Sequence, residues 1–247
     1  MKKNKILSIL IENIKTIGGA LIIAIIIRSL IIQPFYIPSS SMEPTLLIGD
    51  RIFVSKYDYG YSKHSFPFSP NFSNSRFFFK QPKRGDLIVF KTPADNRTDY
   101  IKRLIGMPGD EIQFKDGQIF INNTKIKRNK IAVTKNVRCG SLNLDVEVYE
   151  ETLSNGKSYI AVYNKMGTLK NSQLYKVPDK HYFLLGDNRD CSRDSRYLDS
   201  VGFVNYKNLV GKAKMIFFSN DTLKSKLVKF WNIKHSFRPN RTFKKIK

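Results

Sequence analysis

The chain begins with a hydrophobic segment that differs from everything after it. Lysines precede it, and residues 16–27 contain no charged side chain. The apolar character continues past Arg28 if that side chain lies at the far interface, which gives about the 20 residues that a helix needs to cross a bilayer. Pro34 should end the helix, because proline cannot continue the hydrogen-bond ladder. The pattern predicts a transmembrane helix over residues 16–34, after an N-terminal segment of residues 1–15.

This segment has two interpretations. A basic start followed by an apolar run also fits a cleaved signal sequence. However, it lacks an A-x-A exit, and small residues first cluster late, at Ser39 to Ser41, which favours a retained anchor. Lysines precede the span and residues 29–50 contain no Lys or Arg, so the positive-inside rule predicts a cytoplasmic N-terminus with the rest of the chain outside.

Beyond the anchor, runs of apolar and alternating residues predict a mostly β fold. The predicted strands cover residues 86–90, 100–105, 111–114, 118–121, 158–163, 182–185 and 214–218. Asp116-Gly117 is a turn pair typical of a β-hairpin. We expect an antiparallel β-sheet catalytic domain over residues 35–219 with long insertions, namely an aromatic loop at 57–81 and an insertion-bearing region at 128–178. A basic tail follows over residues 220–247.

Charge restricts the class of partner without deciding it. The sequence has 43 Lys and Arg against 20 Asp and Glu, a formal net charge of +23. Such a charge fits nucleic acid or the anionic head groups of a bilayer. Cys139 and Cys191 form neither a disulfide framework nor a CxxC metal knuckle, and whether they pair is left open. We expect no metal and no cofactor.

Two surface segments each allow two interpretations. The rings of the 57–81 loop either contact lipid or cap the core. In the basic tail, Phe230 and Trp231 lie among lysines, which is typical of a membrane-surface segment, but a solvated tail fits nearly as well.

The serine cluster after the anchor is a candidate for nucleophilic chemistry. Taken alone, Ser40 to Glu43 fits the S-x-x-E capping box and predicts the start of a helix. A catalytic serine needs a base, and His64, His181 and His235 stand in no recognisable catalytic setting. A G-x-S-x-G elbow is also missing. We therefore expect surface roles for the three histidines.

Lys102 is the stronger candidate for the base. Strand alternation puts Tyr100, Lys102 and Leu104 on one face, which could bury the amine. With a pKa near 10.4, only about one lysine in a few thousand is neutral at pH 7, whereas removal from water can bring that pKa close to neutrality. A neutral amine could take the proton of Ser41 as that hydroxyl attacks a carbonyl. The alternative is a solvated lysine on an edge strand.

Three segments follow the anchor in order: PSSSMEPT at 38–45, YIKRLIGMPGD at 100–110 and GDNRDCSRDSR at 186–196. Together they resemble the signature boxes of bacterial type I signal peptidase, the membrane-bound endopeptidase that removes signal peptides. The resemblance runs from about Arg28 to Phe218. It implies an antiparallel β fold, in agreement with the strand pattern.

Residue by residue, the resemblance implies a serine–lysine dyad. Ser41 would be the nucleophile and Lys102 the general base, while the Ser39 hydroxyl and the Ser41 backbone N–H would form the oxyanion hole. Ser192 would support the lysine by orienting it. Asp194 and Arg196 would form a supporting salt bridge. Seven residues would shape shallow pockets for small side chains before the cut: Phe35, Ile37, Pro38, Met42, Leu46, Tyr100 and Ile101.

Two positions depart from the family pattern. Ser40 stands where glycine is usual, which suggests a strained backbone torsion and a competing hydroxyl. Cys191 replaces the usual asparagine and puts the hydrogen bonding of its loop in doubt. The insert at 57–81 resembles loops of Gram-negative members, which favours a periplasmic catalytic domain.

We therefore expect a single-span serine endopeptidase of the bacterial inner membrane, in contact with lipids and not with nucleic acid. Its substrates would be exported preproteins with A-x-A cleavage sites. A pilin or conjugation-protein peptidase, or an organellar inner-membrane peptidase, fits the same boxes. The non-enzymatic alternative is a membrane-tethered basic binding module, for which tail lysines rather than Ser41 would be essential.

Overall fold

The N-terminal apolar segment forms a long helix at one end of the molecule. The computed structural model describes residues 2–71, 75–165, 167–221 and 236–246. Helix α1 (Lys2–Ile26) continues as a π-helical turn (Ile27–Ile31), and the stretch Ile9–Ile31 is long and apolar enough to cross a membrane. The helix starts well before residue 16, because no proline or glycine interrupts the sequence ahead of Gly18.

Beyond the helix, the regular secondary structure of the described chain is almost entirely β-strand. In chain order the strands are β1 (Ile32–Tyr36), β2 (Asp50–Ser55), β3 (Leu87–Lys91), β4 (Asp99–Gly106), β5 (Glu111–Lys115), β6 (Gln118–Ile121), β7 (Thr124–Lys125), β8 (Lys127–Cys139), β9 (Leu142–Thr152), β10 (Ser158–Asn164), β11 (Tyr175–Lys176), β12 (His181–Leu185), β13 (Val204–Asn205), β14 (Leu209–Ser219) and β15 (Lys244–Lys245). All pairings between these strands are antiparallel. The predicted fold class is therefore confirmed.

The main sheet carries Lys102 in its interior. Its strand order is β1-β2-β14-β3-β4-β12-β13, with β15 added beside β14. Strand β4 lies between β3 and β12, and its register with β3 sets Lys102 opposite Ile88. The edge-strand alternative for Lys102 is therefore wrong.

Strand β3 is buried on both faces of the main sheet. Leu87 and Val89 belong to one apolar cluster, while Ile88 and Phe90 belong to another. This is the pattern of a strand covered on both sides. The first cluster also contains Met42. The segment that carries Ser39, Ser40 and Ser41, here called the serine segment, therefore packs directly on the sheet.

Two smaller sheets, β10-β9-β8 and β11-β5-β6-β7, complete the described domain. Asp116 and Gly117 form the predicted two-residue turn between β5 and β6, with φ values of 49° and 70°. Two positive φ angles are typical of a type I′ hairpin turn. The sequence pattern missed the long β8–β9 hairpin, because basic residues interrupt the apolar alternation along β8.

Arg76 attaches the aromatic loop to the sheet. Its buried guanidinium donates hydrogen bonds to the carbonyl oxygens of Tyr59 and Tyr206, at 3.2 and 3.0 Å. Tyr59 itself is buried, whereas Phe68 and Phe78 are exposed. The inner part of the loop therefore caps the core, and its outer rings face away from the protein.

Residues 236–246 return to the main sheet and do not form a solvated tail. Strand β15 pairs with β14, with Lys244 opposite Ile216. The guanidinium of Arg241 binds the buried carboxylate of Asp50 at 2.5 Å and the carbonyl oxygen of Thr45 at 2.9 Å. This segment thus holds the chain that follows the serine cluster. Two residues of the predicted membrane-surface tail lie outside the described residues: Phe230 and Trp231.

We predict that Arg241→Ala lowers the free energy of unfolding by about 3 kcal/mol, because the buried Asp50 carboxylate loses its ion-pair partner. The measurement is urea unfolding of the full chain in detergent. Lys245→Ala, at an exposed position of β15, is the control and should change stability little. Equal effects of the two substitutions would contradict the assigned role of Arg241.

Candidate active site

Ser41 and Lys102 meet where the serine segment crosses strand β4. Lys102 Nζ lies 2.7 Å from Ser41 Oγ and 3.0 Å from the carbonyl oxygen of Ile101. Both side chains are buried, with 2% of Lys102 and 8% of Ser41 exposed. The amine and the hydroxyl are therefore within the range for direct proton transfer.

The environment of Lys102 favours the neutral amine. Burial lowers the pKa of Lys102 to about 8, although the Asp194 and Asp187 carboxylates act to raise it. Removal from water disfavours the ammonium form, and here that effect outweighs the attraction of the carboxylates. With a pKa of about 8, roughly one amine in ten is neutral at pH 7.

The three clustered serines have different surroundings. Ser39 is exposed, and its Oγ lies 3.4 Å from Ser41 Oγ. Ser40 is buried, and its Oγ lies 3.6 Å from Cys191 Sγ, so its hydroxyl faces a sulfur atom. The φ angle of Ser40 is outside the left-handed region, so the strain expected there is not found.

The segment from Ser40 to Glu43 forms turns and does not start a helix. The carboxylate of Glu43 accepts a hydrogen bond from the backbone N–H of Arg138 on the β8–β9 hairpin. Because no helix begins at these residues, the capping-box interpretation is wrong.

Asn188 fixes the backbone of the serine segment. Its N–H donates to the carbonyl oxygen of Ser41 at 3.1 Å, and its side-chain amide donates to those of Ser40 and Arg138 at 3.2 Å each. The role of Asn188 was not predicted from the sequence. These contacts hold the backbone around Ser41 in one orientation against the 186–196 loop.

Ser192 lies close to Ser41 and Lys102, but it forms no hydrogen bond with the Lys102 amine. The bonds of Lys102 Nζ go to Ser41 and Ile101. The buried Ser192 hydroxyl forms no hydrogen bond of standard geometry within the described residues, although its proximity helps to keep the pKa of Asp194 low. The predicted orientation of Lys102 by Ser192 therefore stays a prediction.

Gly186 makes room for this close packing. A Cβ atom at Gly186 would lie 2.2 Å from Ser192 Oγ and 2.5 Å from the carbonyl oxygen of Ser41. Both distances are far below van der Waals contact, so only glycine fits between the two serines.

Asp194 and Arg196 form a buried ion pair with a distance of 2.8 Å. Burial acts to raise the pKa of Asp194, but the charge of Arg196 and the hydrogen bonds to the carboxylate together outweigh burial and hold this pKa below its usual value. Asp194 also accepts a hydrogen bond from the Gly186 N–H at 2.9 Å. The pair therefore braces the loop that packs under Ser41.

A second buried ion pair, Arg103 with Asp187, was not predicted. Two guanidinium nitrogens of Arg103 bind the two carboxylate oxygens of Asp187 at 2.8 and 2.7 Å, and the hydroxyl of Thr45 donates to the same carboxylate. The pair links β4, the 186–196 loop and the serine segment. The sequence feature that could have pointed to this pair is Arg103 itself, a second cation next to Lys102 in an otherwise apolar strand.

An open cleft of about 430 Å³ lies beside Ser41 and Lys102. Six of the seven predicted pocket residues line it: Phe35, Ile37, Pro38, Met42, Tyr100 and Ile101. Leu46 does not, because it is fully buried in the apolar cluster beneath. Five further residues line the cleft without having been predicted: Tyr36, Ile52, Val89, Thr98 and Asp99.

Cys139 and Cys191 form a disulfide, a pairing that the sequence alone leaves open. The bond ties the end of β8 to the 186–196 loop, directly before Ser192. The hairpin is thereby held over the serine segment, where Arg138 contacts Glu43.

The described histidines take no part in this arrangement. His64 is buried and not at the surface as expected; its Nδ1 lies 3.1 Å from Ser69 Oγ, and burial lowers its pKa to about 4. The ring nitrogens of His181 contact the carbonyl oxygen of Asp179 and the amide of Asn205. His235 lies outside the described residues.

Comparison with known proteins gives matches over most of the chain. A family model described as "Signal peptidase, peptidase S26" matches residues 10–218. Signal peptidase I of Rickettsia typhi is 43% identical over 207 residues, covering 80% of this chain and 76% of that protein. Signal peptidase I of Rickettsia akari is 44% identical over 209 residues, covering 80% and 75%. A crystal structure of a signal peptidase I from Enterococcus faecalis V583 is 30% identical, covers 54% of this chain and 97% of that chain, and has a TM-score of 0.33.

We predict that Gly186→Ala slows covalent labelling of Ser41 by a serine-directed acylating reagent by at least about tenfold, because the new methyl group forces Ser41 and Ser192 apart. Mass spectrometry of the labelled peptide measures the rate. Gly18→Ala is the control, since nothing lies within 4 Å of a Cβ at that position. Unchanged labelling of a folded Gly186→Ala protein would refute the packing described for Gly186.

Proposed function

The chain belongs to the peptidase S26 signal peptidase family and is a serine endopeptidase that cleaves signal peptides from preproteins, and we propose that Ser41 is its nucleophile and Lys102 its general base. The observation that carries this proposal is the 2.7 Å contact between two buried groups, the Lys102 amine and the Ser41 hydroxyl. The lowered pKa of Lys102 adds to it, because only a neutral amine can accept a proton.

In the first step, Ser41 Oγ attacks the carbonyl carbon of the scissile peptide bond. Its proton moves to Lys102 Nζ as the new carbon–oxygen bond forms, and the carbonyl oxygen becomes an oxyanion. The Ser39 hydroxyl and the Ser41 backbone N–H would donate hydrogen bonds to that oxyanion. The 3.4 Å separation of the Ser39 and Ser41 hydroxyl oxygens supports a role for Ser39 next to the reacting atoms.

In the second step, the Lys102 ammonium returns its proton to the leaving amine, and the carbon–nitrogen bond breaks. The product is an ester between Ser41 and the signal peptide, and the mature protein departs. Lys102 is neutral again and can take a proton from the water molecule that hydrolyses the ester. One amine thus serves both halves of the reaction.

Ser192 and the Asp194–Arg196 pair would position Lys102. Ser192 is packed under the dyad by Gly186, and the ion pair fixes the loop that carries it. Because Asp194 is already paired with Arg196, its charge raises the pKa of Lys102 less than an unpaired carboxylate would. The arrangement therefore keeps the amine near neutrality while the loop stays rigid.

The cleft supports a preference for small side chains at the first and third positions before the cut. Ile37, Met42 and Ile101 give the cleft an apolar, tightly packed lining. A larger substrate side chain would collide with this packed surface, whereas alanine would fit. We therefore assign exported preproteins with A-x-A sites as substrates.

The membrane span predicted over residues 16–34, most of which lies in the apolar helix Ile9–Ile31, would anchor the enzyme in the inner membrane. Residues 1–15 would then lie in the cytoplasm and the domain over 35–219 in the periplasm. The lysines before the span support this orientation. The Cys139–Cys191 disulfide supports it independently, because disulfides persist in oxidising compartments such as the periplasm. Anchoring would raise the concentration of enzyme near substrates whose own apolar segments lie in the bilayer.

A specialised pilin or conjugation-protein peptidase, or an organellar inner-membrane peptidase, would use the same dyad and cleft. The binding-module alternative accounts for neither the serine–lysine contact nor the apolar cleft beside it. We therefore rank general signal-peptide processing first.

We predict that Ser41→Ala and Lys102→Ala each leave the protein folded but reduce cleavage of a secretory precursor by at least about a thousandfold, as loss of a dyad member should. Lys102→Arg should be equally inactive, because guanidinium stays protonated and cannot act as a base. The assay is precursor cleavage in detergent, with sequencing of the new N-terminus. Normal cleavage by the Lys102→Arg protein would rule out Lys102 as the base.

We predict that kcat/KM rises with pH and levels off above a pKa of about 8, because the neutral form of Lys102 is the active one. At pH 6, about two pH units below that pKa, the rate constant should be about one hundredth of its plateau. A pH profile of wild-type cleavage measures this. A midpoint near pH 4, the pKa of His64, would instead point to a histidine base.

A further inference from the structure

A second cavity lies beside the cleft, where the anchor joins the catalytic domain. It has a volume of about 350 Å³. Arg28, three residues before the helix ends at Ile31, lines one side of it. Phe35 and Asp99 line both this cavity and the cleft. The cavity is therefore adjacent to the cleft and is formed in part by the end of the anchor.

The walls of this cavity are cationic. Arg28, Lys91 and Arg97 line it, against the single carboxylate of Asp99. Lys91 pairs with Asp99 at 2.9 Å and donates to the carbonyl oxygen of Arg97 at 2.7 Å. Within the described residues, no carboxylate forms a salt bridge with Arg28 or Arg97. Two guanidinium groups at the cavity therefore have no protein counter-ion there.

The buried amine of Lys56 lies behind this surface. Lys56 is fully buried, and its Nζ lies 3.4 Å from the carbonyl oxygen of His64, which lines the cavity. Burial lowers the pKa of Lys56 to about 7; Asp99 opposes this, and the nearby positive charge of Arg28 adds to it. The positive charges around the cavity therefore exceed the single negative charge of Asp99. This excess favours the binding of an anion in the cavity.

Two aromatic rings give the cavity an apolar rim. Phe66 and Phe68 line the cavity, and Phe68 is completely exposed. The Tyr61 hydroxyl donates to the carbonyl oxygen of Leu30 at 3.0 Å, which fixes the aromatic loop to the end of the anchor. Aromatic rings next to cations at the end of a membrane helix are typical of the lipid–water interface.

We propose that this cavity binds the phosphate group of an anionic phospholipid from the leaflet that faces the catalytic domain. This inference rests on the membrane orientation given under Proposed function. Arg28 and Arg97 would bind the phosphate oxygens, since guanidinium matches phosphate geometry. Phe68 would lie among the upper acyl chains. A soluble phosphate compound would make no use of this apolar rim, which is why the lipid is favoured.

The lipid would act on the reaction by holding the cleft at a fixed depth. Phe35 and Asp99 separate the two cavities, so a head group bound in one lies next to a substrate bound in the other. A membrane-embedded precursor should therefore need the lipid for efficient binding, whereas a precursor in detergent should not. The effect should appear in KM and leave kcat unchanged.

The test uses the full chain in nanodiscs of phosphatidylcholine with or without phosphatidylglycerol. Native mass spectrometry measures retained phosphatidylglycerol, and cleavage of a membrane-embedded precursor gives KM. Arg28→Gln/Arg97→Gln should weaken phosphatidylglycerol binding roughly thirtyfold, and Arg97→Gln alone, which leaves the anchor unchanged, roughly fivefold. The control, Lys125→Gln/Lys170→Gln, removes the same charge from exposed positions outside the cavity.

Equal loss of phosphatidylglycerol in the arginine and lysine double variants would overturn the proposal, because binding would then follow net charge alone. Full competition by glycerol phosphate would also overturn it, by identifying a site for soluble anions. Cleavage in detergent separates this inference from the proposed function. Cleavage in detergent should be normal in the arginine double variant, whether or not that variant has lost lipid binding. Ser41→Ala should abolish cleavage in any medium.

Discussion

The burial of one amine against one hydroxyl is the constraint on which this structure depends. An exposed lysine is protonated at neutral pH and cannot accept a proton, so Lys102 must be kept out of water to act as the base that we propose. It sits in an interior strand of the main sheet, with apolar clusters on both faces of the neighbouring strand β3. The large β-sheet therefore has a chemical effect as well as a structural one, because it excludes water from Lys102 and so lowers the pKa of this residue.

The carboxylates around Lys102 have two effects, one on its pKa and one on the rigidity of the neighbouring loops. Carboxylates near Lys102 act to raise its pKa, yet the loops that carry Ser41 and Ser192 need strong polar contacts to stay in place. Asp187 and Asp194 are each paired with their own arginine, at 2.7 and 2.8 Å. The loops thus gain rigidity from buried ion pairs while most of the carboxylate charge is balanced by arginine.

Much of the fold and the centre of the site could be predicted from the sequence. Alternating apolar positions identified β4, β5, β6 and β10, and the Asp116-Gly117 pair identified a hairpin turn, because these signals are local. The β8–β9 hairpin was missed since basic residues obscure its alternation. Contacts between distant segments could not be predicted either. Asn188, the Arg103–Asp187 pair and the disulfide acquire their partners only through the tertiary fold, and nothing in the local sequence states which partner each residue will find.

The contact of Arg241 with the segment after the serine cluster sets an order of events during biosynthesis. Arg241 is 196 residues downstream of Thr45, whose carbonyl oxygen it binds. The ribosome makes the N-terminal helix and the serines early and Arg241 late, so this brace is missing while most of the chain is still being translated. A nascent chain therefore contains Ser41 long before the segment that secures the residues after it, and the complete brace exists only after residue 241 has been made and has docked.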